Sequence, residues 1–120
     1  SAASDVYKRQ PMETNPEQII SNILDDMAEI GDWVSISDAI QANGRKSHQA
    51  NREDITLILR AIKQSQEIAI GKINGEFQDF PTDWEPAEVT AEIFSDPQPV
   101  GAMMQVLLRP TGQWPEKTKP

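Results

Sequence analysis

His48 is the one histidine in the chain, and an imidazole can act as a general base or a metal ligand near neutral pH. Neither role finds partners at a diagnostic spacing, because no H-x-x-E-H or H-E-x-x-H pattern surrounds it. It reads as an exposed loop residue. Asp79, Asp83, Glu85 and Glu88 carry oxygen ligands of the kind a hard cation uses, yet the ordered spacing of a calcium loop is absent. Asp25, Asp26 and Glu29 read as the solvated face of a helix. With no cysteine, thiolate–zinc sites, a thiol nucleophile and disulfides are excluded. Ser35 and Ser37 stand in no nucleophile-elbow context and read as helix caps. Gly71, Gly75 and Gly101 read as turn and packing glycines. A non-enzyme is therefore expected, with no catalytic set, no cofactor and no metal.

Two groups of residues could bind instead. Arg45, Lys46, His48, Gln49 and Arg52 form a basic, hydrogen-bonding run, and Lys72 could join it from a hairpin. Residues 41–75 hold six bases against three acids, so this is where nucleic acid could be met. Glu53 and Asp54 sit beside the run and oppose phosphate. Phe77, Phe80 and Trp84 form the other group. They lie in residues 76–96, which hold seven acids and no base. Aromatics anchor protein interfaces, and that charge selects a basic protein partner. The whole chain carries a formal charge of −8, which repels nucleic acid at long range. A homodimer stays open.

The elements that must position these groups are legible in the periodicity. Asn15-Pro16 is a cap followed by proline at the first helical position. Ile19, Ile20, Ile23, Leu24, Met27 and Ile30 then recur at helical spacing, predicting a helix over 16–29 that ends at Gly31. Trp33, Val34 and Ile36 are expected in the core on a short extended piece. Ser35 with Asp38 resembles a capping box, and a short helix over 37–43 stops before Gly44. Residues 44–50 read as a loop. Asn51 and Asp54 open a helix over about 52–66, with Ile55, Ile58, Leu59 and Ile62 as its buried stripe. Alternation then predicts strands at 68–73 and 76–80 around Asn74-Gly75, the type I′ hairpin signal. Val89, Ala91 and Ile93 alternate with Thr90, Glu92 and Phe94, predicting a strand at 88–94. Met103 to Arg109 is expected as another, and Trp114 as an anchor of the tail.

The order helix, short strand, helix, helix, hairpin over residues 16–80 resembles the winged-helix arrangement. It carries no sequence motif, and its 44–50 connection is longer than a standard helix-turn-helix turn. The resemblance implies an α+β fold with a winged-helix-like core and one or two additional C-terminal antiparallel strands. Residues 1–14 read as a disordered or artificially appended segment, with Met12 as a natural start. Residues 15–109 read as a single domain and 110–120 as a tail. No run approaches a membrane span, and no secretory signal is visible, so a cytoplasmic location without membrane contact is expected. The favoured function is a non-catalytic protein-interaction or assembly module. The alternative is a DNA-binding transcriptional regulator that reads DNA with residues 45–52 and the hairpin wing.

Overall fold

Helix α1 (Pro16–Ile30) begins where Asn15 Oδ1 accepts the amides of Glu17 and Gln18, at 2.9 and 3.2 Å. It ends at Gly31, whose φ of 74° lets its amide reach the carbonyl of Met27. Between these caps Ile19, Ile20, Ile23 and Met27 are buried on one stripe. A computed structural model describes residues 12–115 of this chain. The expectations for residues 1–11 and 116–120 lie outside the described residues.

After α1 come β1 (Val34–Ser35), α2 (Ile36–Ala42), a 3-10 turn (Ser47–Gln49) and α3 (Arg52–Ser65). The expected Ser35–Asp38 capping box forms, and Asn51 with Asp54 makes a second one. Asp38 takes the Ser35 amide at 2.8 Å while Ser35 Oγ accepts the Asp38 amide at 3.2 Å. Asn51 and Asp54 exchange the same two bonds at the start of α3. Each reciprocal pair satisfies two amides that a helix start leaves unpaired. The connection before α3 is held by a buried hydroxyl pair, Ser37 Oγ and Ser47 Oγ, 2.5 Å apart.

Strands β2 (Ile68–Asn74) and β3 (Glu76–Asp79) form the expected hairpin. Its reversal is tighter than a type I′ turn, because Asn74 still pairs with Glu76 and of that dipeptide Gly75 alone has positive φ. The next stretch corrects the sequence reading. Residues 86–95 are helix α4 (Pro86–Ser95), not a strand, and a second helix α5 (Pro99–Gln105) precedes the short strand β4 (Leu107–Pro110). The alternation of Val89, Ala91 and Ile93 misled, because Val89, Thr90 and Ile93 also fall on one helical stripe, and these are buried together with Pro86. Thr90 Oγ1 donates to the carbonyl of Pro86, keeping the buried hydroxyl satisfied within the helix. Pro86 and Pro99 both occupy first-turn positions, the helix-start signal that weighs against a strand.

The result is an α+β fold with five α-helices among the described residues and one antiparallel sheet in the order β1-β4-β2-β3. Strand β4 thus lies between β1 and the hairpin. Val34, Leu108 and Ile70 form one row across the sheet and are buried against the helices. The core joins them to the stripes of α1, α2 and α3 and to Val89, Ile93 and Met103. The ordered unit reaches beyond 15–109 at both ends. Met12 is buried, and the Glu13 amide donates to the carbonyl of Asn43. At the other end Thr111 bonds back to Gln66 and Glu67. Trp114, expected to anchor the tail, is exposed.

Candidate functional site

Strand alternation puts the next row, Ser35, Leu107, Gly71 and Asp79, on the opposite side of the sheet from the core. Trp33, Arg109, Ile73 and Phe77 extend that side. The helices leave much of it open: Trp33 is 40% exposed and Ile73 43% exposed. Trp33 and Phe77 meet edge to face, with ring centroids 5.2 Å apart. Gly71 makes this possible. A Cβ there would collide with the Gln78 carbonyl and stand 2.8 Å from Phe77 Cε1, so the ring leans across the glycine. The Arg109 guanidinium lies 5.4 Å from the centre of the Phe77 ring and binds both carboxylate oxygens of Asp79, at 2.7 and 3.1 Å. A fork-on-carboxylate pair of this kind holds a guanidinium in one plane.

Trp33 and Leu107 also form one wall of a groove of about 650 Å³. Val100 and Met104 of α5 line it, and Met104 is 60% exposed. Its polar lining comes from α2 and the 3-10 turn. Gln41 Nε2 donates to Ser47 Oγ at 3.2 Å beside the Ser37–Ser47 pair, and Asp38, Lys46 and His48 complete it. Asp38 accepts the Ser35 amide and hydroxyl on a single oxygen, Oδ2. Asp26 of α1 faces the same acid. Its carboxyl is held above its ordinary value by burial first, then by the charges of Asp38 and Glu29.

The aromatic residues singled out in the sequence do not share a face. Phe77 belongs to the open side of the sheet. Phe80 and Trp84 pack against the core, in edge contact with centroids 6.3 Å apart. Phe80 lines a small cleft with Val89, Ile93 and Val106. Lys63 lies 4.9 Å from the centre of the Trp84 ring and donates to the Trp84 carbonyl. Trp33, expected in the core, is instead the exposed partner of Phe77. Alternation from buried Val34 points to this, since Trp33 and Ser35 must share the other side.

The basic group is dispersed by its intramolecular partners. Arg45 Nε is buried 3.5 Å from Asp54 Oδ2, without the alignment of a hydrogen bond. Arg52 lies 5.3 Å from the centre of the Phe94 ring on α4. Lys72 is paired with Glu92 of α4 at 2.9 Å. Lys46, His48 and Gln49 are exposed. Among the described residues no group of three or more His, Asp or Glu side chains gathers as a cation would need, and no helix is long and apolar enough to cross a membrane. No protein-family model, curated protein or solved structure matches the chain.

Proposed function

We propose that this chain is a non-catalytic protein-interaction or assembly module with a winged-helix-like core, and that its contact surface is the uncovered side of the sheet around Trp33 and Phe77. One observation carries the reading: the exposed Trp33 ring meets the half-buried Phe77 ring edge to face on a sheet whose other side is covered by helices. Exposed apolar groups scattered singly are ordinary, whereas a contiguous set marks an interaction surface. Here Ile73, Leu107 and Met104 extend the pair, and Arg109 adds a residue type enriched at interface centres. The order of elements through the hairpin supports the winged-helix-like description. The alternative, DNA reading by residues 45–52 and the hairpin, has Lys46, His48 and Gln49 in its favour as exposed groups. Against it, Arg45, Arg52 and Lys72 each contact a group of the same chain, Asp54, Phe94 and Glu92, and α4 lies along one flank of α3, where Thr56 and Thr90 share a 2.8 Å hydroxyl contact.

The test is a display selection of random peptides on the wild-type chain, with Trp33→Ala/Phe77→Ala as the counter-screen. A salt titration with mixed duplex DNA runs beside it. Peptides that need the two rings support an interaction module. Identical enrichment on both chains, or none, removes it. Duplex binding that falls steeply with salt and is lost in Lys46→Ala would put the regulator in its place.

A further inference from the structure

Three aromatic rings of this fold already carry a cation of the same chain: Arg52 over Phe94, Lys63 over Trp84 and Arg109 over Phe77. The Phe77 unit is the most complete, since the carboxylate of Asp79 grips the guanidinium that stacks on the ring. Ring and carboxylate together recognise a guanidinium better than either alone, one through the π face and the other through paired hydrogen bonds. Trp33 and Asp38 repeat half of this unit. Both line the groove beside α5, and among the described residues no cation stands over the Trp33 ring. Asp38 receives both of its described hydrogen bonds on Oδ2, so Oδ1 has no donor among the described residues.

Resting on the interaction-module reading, we propose that this groove receives an arginine side chain, or a lysine in its place, from an apolar segment of a partner protein. The partner's cation stacks on Trp33 and pairs with Asp38, while its apolar neighbours cover Leu107, Val100 and Met104. Charge selects this occupant over a second copy of the chain. A formal charge of −8 repels an identical molecule and attracts a basic one. Within the groove, Lys46, just before the 3-10 turn, repels a cation from that side. The place left for it is the β1–α2 junction, where Trp33 and Asp38 stand.

The test uses the isotope-labelled full chain and three capped five-residue probes, leucine alternating with arginine, glutamine or glutamate. The arginine probe is expected to shift the Trp33 indole N–H and the Gln41 side-chain amide. It should bind about 10-fold tighter than the glutamine probe, and the glutamate probe should not bind. Trp33→Ala should weaken the arginine probe about 10-fold. Asp38→Asn, which can still accept from the Ser35 amide, should weaken it several-fold while the far-ultraviolet spectrum stays native. Equal binding of the arginine and glutamine probes at the groove would overturn the cation slot and leave the interaction face standing. So would an arginine probe that moves only the acidic residues 83–88 at the start of α4, or one indifferent to Trp33→Ala. If no probe and no selected peptide perturbs Trp33, Phe77 or Leu107, the slot and the interaction module fall together.

Discussion

Asp26 is a carboxylate kept in a place that disfavours its charge. Burial, Asp38 and Glu29 all raise its pKa, so the native state keeps this proton to higher pH than the unfolded chain does. Stability therefore falls as pH rises from the unfolded value of 3.8 through the folded one. Asp26→Asn is expected to raise the melting temperature at pH 7, with the gain vanishing once the pH drops below 3.8. A gain of the same size at both pH values would remove the electrostatic account. Gly71 is constrained for a different reason: it is the floor on which the Phe77 ring rests. Gly71→Ala should cost about 1–3 kcal/mol or more by urea unfolding, because the clash is with backbone that cannot rotate away. It should also change the near-ultraviolet signal of the Trp33–Phe77 pair. An unchanged signal with full stability would mean the ring does not lean across the strand.

Among the elements, α4 is the one whose identity changes the surface. As a strand over 88–94 it would place Ala91 with Val89 and Ile93. As a helix it buries Thr90 with them and leaves Ala91 exposed. Ala91→Lys should thus be nearly neutral, within about 0.5 kcal/mol. Thr90→Lys should cost about 3 kcal/mol or more, by burying a charge and breaking the contact with Thr56. The reverse pattern in thermal melts would restore the strand. The consequence for function lies in what α4 occupies. Its contacts with Arg52, Thr56 and Lys72 use the groups that a recognition helix and wing would offer to DNA. The hairpin keeps its expected place in the order of elements, but β4 lies between it and β1. Its aromatic residue is turned away from the helices.

At the scale of the molecule, charge sets encounter and the open face sets contact. With a net charge of −8, association with the arginine probe should slow by about 10-fold between roughly 0.02 and 0.5 M salt, while dissociation changes much less. Stopped-flow mixing at a series of salt concentrations reads both rates. Dissociation that carries most of the salt effect would mean that contact charges, not steering, dominate.

Local chemistry settled what one segment can decide alone. Asn15-Pro16, Ser35 with Asp38 and Asn51 with Asp54 marked three helix starts, and the isoleucine stripes of α1 and α3 named their buried faces, because caps and periodicity are properties of neighbouring residues. The Asn74-Gly75 reversal and its flanking alternation located the hairpin for the same reason. An α+β fold followed from these. Tertiary structure decided the rest. Residues 88–94 satisfy both a period of two and a helical stripe; Pro86 leans toward the helix, and packing against α3 and α5 settles it. Trp33 and Phe77 are far apart in the chain and meet only because β4 inserts between β1 and β2. Phe80 and Trp84 turn inward because α4 and Lys63 are there to receive them. The basic group lost its unity to partners on other elements, Asp54, Phe94 and Glu92. Pairwise contacts between distant segments carry no local signature, so the groove at Trp33 came into view only when the chain was folded.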